Sequence, residues 1–207
     1  RFARSGFQIR TGGSRTRHAR CFRSVAKGRK NDQRIDPETA YYYRMNFTHA
    51  DILAAQREIS QRHLADYFRL MWPQVEPVMP YSPNWHLDAI CEHLEAVTAG
   101  HITRLLINVP PGFTKSLTCS VAWQTWEWGP KNMPSLRYLC TSFGEGPIKR
   151  DTRKARDLML SPWYQQLWPH VKLTRTAETS FANTRTGTRE GVPFPSLTSQ
   201  RGDRLII

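Results

Sequence analysis

Residues 104–120 read Arg-Leu-Leu-Ile-Asn-Val-Pro-Pro-Gly-Phe-Thr-Lys-Ser-Leu-Thr-Cys-Ser: an apolar run, a Pro-Pro-Gly break, then Lys-Ser at the head of a helical pattern. That is the layout of a phosphate-binding loop. A buried strand delivers the chain to a tight loop, whose backbone N–H groups and following helix N-terminus surround a phosphate with partial positive charge. In this arrangement Lys115 reaches the terminal phosphates of ATP and the Ser116 hydroxyl sits where Mg²⁺ binds. Pro111 and Gly112 form the bend, Gly112 permitting close backbone approach, while Phe113 and Thr114 contribute N–H groups rather than side chains. The formal pattern G-x-x-x-x-G-K-[ST] is not met, because Val109 and Thr114 stand at its two glycine positions. Lys-Ser is also a common way to begin an ordinary solvated helix. The strand before and the helix after are the context that the motif requires.

On the N-terminal side, Thr48 and Asp51 form a capping box ahead of Ile52, Leu53, Ile59, Leu64, Tyr67 and Phe68, predicting one helix that ends before Pro73. Four prolines between 73 and 83 predict an extended connector. Leu87, Ile90, Leu94 and Val97 recur at helical spacing, with Gly100 as the stop. Beyond the loop, a helix is expected from about Lys115 to Trp128, a strand over Leu136 to Thr141 and a helix from about Pro147 to Leu160. Short β segments follow near 172–173, 180–183 and 188–192, and Leu205 to Ile207 begins another buried strand. Alternating strand and helix predict an α/β fold: a P-loop NTPase-type parallel sheet flanked by helices, incomplete at the C-terminus. The ligand site is expected at the carboxyl ends of its strands.

The formal charge is +13, and its distribution is uneven. Residues 1–40 hold eleven Lys or Arg against Asp32, Asp36 and Glu38, a local net of +8, which leaves +5 on the remainder. Rich in Gly, Ser, Thr and Arg, this stretch reads as a disordered basic arm drawn to phosphate backbones, or as a non-native extension. The expected division is a basic arm over 1–44, a helix and Pro-rich connector over 45–84, and a truncated P-loop ATPase domain over 85–207. No run approaches the roughly 20 apolar residues of a membrane span, and the Arg-rich start has no apolar signal-peptide core. Cys21, Cys91, Cys119 and Cys140 lie far apart without a C-x-x-C pair, predicting free thiols, with Cys119 and Cys140 in the core.

The stretch Leu105 to Ser116, followed by Trp123 and Trp126-Glu127-Trp128-Gly129-Pro130, closely resembles the ATPase of tailed-bacteriophage terminase large subunits. The likeness extends upstream to Trp85-His86-Leu87-Asp88-Ala89-Ile90 and Gly100-His101-Ile102. Downstream it includes Thr141-Ser142-Phe143, Arg156-Asp157-Leu158, Ser161-Pro162-Trp163-Tyr164 and Gln200 to Ile207, covering roughly residues 45 to 207. The resemblance implies an ATP hydrolase that couples turnover to packaging of viral double-stranded DNA. It implies a portal protein and a small terminase subunit as partners, a homo-oligomeric ring, and a place in the host cytoplasm and transiently at the procapsid portal. It also implies that Trp85 and His86 contact the adenine, although a hydrophobic staple with a surface histidine reads equally well there. Some relatives carry Arg where Gly112 stands, so the arginine acting on the γ-phosphate must come from elsewhere. Arg150, Arg153 and Arg156 face phosphates or DNA, or else form a solvated helix face; Arg201 precedes the expected second nucleotide motif. The acidic residues of that motif and the nuclease domain lie beyond Ile207, so the chain reads as a fragment with little hydrolysis alone. Two other functions fit the same residues: another P-loop DNA translocase of helicase type, and a non-catalytic nucleic-acid-binding protein dominated by the arm.

Overall fold

The computed structural model describes residues 8–11 and 48–207. Thr48 caps the first helix as expected: Asp51 N–H donates to its hydroxyl at 3.2 Å and Thr48 N–H donates to the Asp51 carboxylate at 2.9 Å. The one helix predicted up to Pro73 is two, α1 (His49–Arg62) and α2 (Leu64–Val75), broken at an extended His63. The break has a packing cause. α1 buries only Ser60, whereas α2 turns Leu64, Tyr67, Phe68 and Met71 into the core. The Leu64 N–H exposed by the break donates to the Glu95 carboxylate at 2.6 Å. Pro73 lies within α2 rather than beyond it. In a last turn, the missing N–H leaves few helical carbonyls without a partner.

α3 (Trp85–Thr98) ends as its sequence predicts. Gly100 takes φ +77°, its N–H bonds Val97 O at 3.0 Å, and His101 N–H bonds Ala96 O at 2.9 Å. This pair of reversed bonds satisfies the last carbonyls and needs a residue that tolerates left-handed backbone.

The strand that leads to the loop departs from expectation. β2 (Leu105–Asn108) is half-exposed, with Leu106 59% accessible, and it pairs antiparallel with β1 (Gln8–Thr11) in a two-stranded sheet. It is not a member of the main sheet. Backbone groups of an extended segment require partners, and residues 8–11 supply them. The expected disorder of the arm otherwise falls outside the described residues.

After the loop, a helix runs from 115 to 128; its middle, Leu117–Ala122, is π-helical and its end, α4 (Trp123–Trp128), is regular. β3 (Arg137–Ser142) leads into α5 (Glu145–Leu160), then α6 (Pro162–Leu167), which Ser161 caps by accepting from Tyr164 N–H. β4 (Leu173–Thr176), β5 (Ser180–Asn183), β6 (Thr188–Pro193), a 3₁₀ turn (Phe194–Ser199) and β7 (Arg204–Ile206) follow. The sheet order is β4-β5-β6-β3-β7. β3 runs parallel to β6 and β7, while β5 is antiparallel to β4 and β6. The sheet is therefore mixed, not purely parallel. The short hairpin connections after β4 and β5 permit only antiparallel neighbours, since parallel pairing needs a crossover.

The core joins α2, α3, α4, α5 and α6, with β3 and β5 contributing Tyr138, Cys140 and Phe181. At its centre Glu127 is fully buried. Its carboxylate accepts from Thr98 at 2.8 Å, from the Tyr138 hydroxyl, and from Arg204 Nη2 and Nε at 2.7 and 3.2 Å. Arg204 also lies 5.5 Å from the Trp123 ring centre. This network fastens edge strand β7 to α4. Cys140 is buried and Cys119 partly so.

Candidate functional site

Two residues of the loop between β2 and the following helix adopt left-handed backbone: Gly112 at φ +86° and Thr114 at φ +54°. For threonine this conformation costs on the order of 1–3 kcal/mol and persists only where the surroundings impose it. Part of the compensation is visible. The Thr114 hydroxyl donates to Phe113 O at 2.8 Å, and Thr114 O accepts from Thr118 N–H at 2.9 Å and the Thr118 hydroxyl at 3.1 Å. Thr114 thus ends the loop and supplies the first helical carbonyl. Left-handed residues within such a turn fold successive N–H groups into an anion-attracting concavity.

The Phe113 side chain, 41% exposed and itself part of the cleft lining, links the loop to α3. Its ring meets that of His86 edge-on, with centres 5.0 Å apart. Burial pushes the His86 pKa down, and a hydrogen bond with the Phe113 backbone offsets this only partly. Trp85, at the start of α3, is 64% exposed and stands edge-on to His86 at 6.3 Å. Neither residue lines the cleft in front of the loop. The structure therefore brings His86 to the loop as a support, with Trp85 outside it.

The cleft has a volume of about 540 Å³. One wall is the loop with Lys115 and Ser116; the other is α5 with Arg150, Asp151 and Lys154. Trp72 and Glu76, at the end of α2, also line it, and Lys154 is ion-paired with Glu76. Arg150 Nε donates to the Asp151 carboxylate at 2.8 Å, a bond that raises the guanidinium pKa further. Among the described residues no partner engages the two terminal nitrogens of Arg150, or the Lys115 ammonium, or the Ser116 hydroxyl. The Cys119 thiol is pushed up to about 12 by burial, against which the nearby Lys115 charge acts.

Lys115, Ser116 and the loop were legible in the sequence, and so was Arg150 as one of two alternatives. Asp151, Lys154, Trp72 and Glu76 were not. A signal existed for Asp151: Ile148, Thr152, Ala155 and Met159 form the buried stripe of α5, and Asp151 lies on it. Arg153 is exposed, and Arg156 bonds Asp157 and Ala177 O, so neither contributes to the cleft. Arg201 and Gly202 also lie outside its lining.

Among the described residues no group of three His, Cys, Asp or Glu is arranged to hold a metal ion by itself. No described helix is long and apolar enough to cross a membrane. No family model matches the sequence, and neither curated proteins nor solved structures give a match.

Proposed function

We propose that the cleft binds the triphosphate of ATP and that the chain is the nucleotide-binding part of a DNA-packaging ATPase of the terminase large-subunit type. The observation that carries this is a pair of cations. Lys115 and Arg150 come from different elements, line one cleft and find no anionic partner for their terminal groups, apart from the single Arg150 Nε bond. A lysine without an anionic partner on one wall and a guanidinium with its outer nitrogens unengaged on the other suit a polyanion. The volume of about 540 Å³ lies within the range of small-molecule sites. The strained loop between the cations presents backbone N–H groups at the helix start, where phosphate is favoured.

The roles follow from the chemistry of each group. Lys115 acts as a point charge on the terminal phosphates, and the fork of Arg150 presents parallel donors suited to phosphate oxygens. Asp151 holds Nε and so directs that fork. Mg²⁺ takes one or two protein oxygens and fills its octahedron with water and phosphate, so the unengaged Ser116 hydroxyl suffices as its protein ligand. Bound there, it would neutralise charge shared between neighbouring phosphates. Double-stranded DNA, a portal protein, a small terminase subunit and a ring of copies complete the proposed motor.

The test is titration of a fluorescent ATP analogue, with Mg²⁺, into the 207-residue chain and its Lys115→Ala variant. Removing a charge-assisted contact worth about 1.5–3 kcal/mol predicts roughly 10- to 100-fold weaker binding. Equal affinity in a variant with parental circular dichroism would overturn the assignment.

A further inference from the structure

Arg189, on β6, is 1% exposed, and its guanidinium has no carboxylate within ion-pair distance among the described residues. Buried charge is expensive unless neutralised or fully hydrogen-bonded. Here the bonds go to neutral groups on three elements. Nη1 donates to Ser120 O at 2.6 Å and to the Gln124 amide oxygen at 2.5 Å, while Nε donates to the Thr152 hydroxyl at 3.2 Å.

Those acceptors are distinctive in position. Ser120 lies inside the π-helical segment Leu117–Ala122, which begins directly after Lys115 and Ser116. Thr152 follows Asp151 and lies two residues from Arg150 and from Lys154, on the opposite wall of the cleft. A single side chain therefore ties together the helices that carry both cations. π-Helix is rare and occurs mostly as single turns at functional sites, because its wider ring packs less well than the α form. An external donor on Ser120 O competes with the i→i+4 bond that the α form requires. Reverting to α would turn the preceding residues, Lys115 among them, by about 100° relative to α4 for each residue of register gained.

We infer that Arg189 is a positioning residue: it holds the segment after Lys115 in its π register and fixes the spacing between the Lys115 and Arg150 walls. Its effect on nucleotide rests on the function proposed above; its effect on the helix does not. Two measurements separate them. The first is amide hydrogen exchange over 117–124 and 150–154 without nucleotide, in the 207-residue chain and in Arg189→Lys, Arg189→Gln and Thr152→Val. Exchange is expected to rise in both segments for Arg189→Gln, less for Arg189→Lys, and chiefly over 150–154 for Thr152→Val. The second is ATP-analogue titration, where Arg189→Gln should weaken binding roughly tenfold, equivalent to about 1.4 kcal/mol, with partial recovery in Arg189→Lys.

If the parent itself binds no ATP, the functional assignment fails and the exchange data alone decide the role of Arg189. Unchanged exchange in both segments of a folded Arg189→Gln chain overturns the inference. Weaker ATP binding without that local rise overturns it too, since the loss would then arise elsewhere. Should both Arg189 variants lose their circular dichroism, Thr152→Val, which removes only one acceptor, carries the same two outcomes for the 150–154 wall.

Discussion

At the centre of the molecule every oxygen of Glu127 is engaged by Thr98, Tyr138 and Arg204. At the cleft, the Lys115 ammonium and the outer nitrogens of Arg150 engage no described residue. Both regions concentrate charge, yet they treat it oppositely. Inside the core the absence of water requires that a charge be ion-paired, as at Glu127, or hydrogen-bonded to buried acceptors, as at Arg189, because an uncompensated ion there costs several kcal/mol. At the open cleft, hydration sustains the Lys115 ammonium and the outer Arg150 nitrogens without a partner, even though Arg150 Nε is paired with Asp151. Charge that is paired serves stability; under the proposed function, charge left unpaired serves binding.

The sharpest way to break this contrast is to remove the buried anion. Glu127→Ala strands Arg204 and two hydroxyl donors, and should cost about 3–5 kcal/mol in denaturant unfolding. A loss below 1 kcal/mol would show that the network is not what holds β7 to α4. Next in size is the converse experiment. Arg150→Ala should weaken ATP-analogue binding roughly tenfold while moving unfolding free energy by no more than about 0.5–1 kcal/mol, since the guanidinium is half-exposed and its ion pair adjacent. A large stability loss with unchanged affinity would reverse the roles assigned to the two regions.

A smaller effect probes the loop itself. At Gly112 a Cβ would meet no atom within 4 Å, so Gly112→Ala tests backbone alone at φ +86°. The expected cost is about 1 kcal/mol, together with weaker nucleotide binding as the loop relaxes. Unaltered stability and affinity would mean that the left-handed bend is dispensable.

The smallest expected effect concerns Asp203, a surface carboxylate that accepts from Arg137 Nε and Nη2 at 3.1 and 3.0 Å and from Arg137 N–H at 2.9 Å. Chiefly the Arg137 side chain, and then its backbone N–H, hold the carboxyl at about 2 instead of 3.8. With the folded value below the unfolded one, the contribution is complete above the ordinary carboxyl range and is lost as pH falls from there toward 2. Solvent screening limits it to about 0.5 kcal/mol. Unfolding measured from pH 6 to pH 2 in the parent and in Asp203→Asn should converge at the acid end. Parallel curves would place the acid-sensitive group elsewhere.

Much of the molecule is written locally. The Thr48 cap, the Gly100 stop, the helix from 115 to 128, β3, α5 and the loop with Lys115 and Ser116 follow from capping residues, periodicity and turn chemistry within a few positions. Short-range interactions decide those features, so a single segment contains the information. What lies between segments does not show in this way. The break at His63 depends on how α2 meets the core, the antiparallel partner of β2 lies about a hundred residues upstream, and the mixed order of the sheet depends on which backbone edges meet. The cleft follows the same division. Its loop was legible from the order of apolar strand, Pro-Pro-Gly break and Lys-Ser helix start, although Thr114 stands where left-handed backbone favours glycine. The fitness of Arg150 to face Lys115, and of Arg189 to reach Ser120, was settled only when α5 and β6 packed against the helix after the loop, because the desolvation that makes a charge consequential exists only in the folded chain.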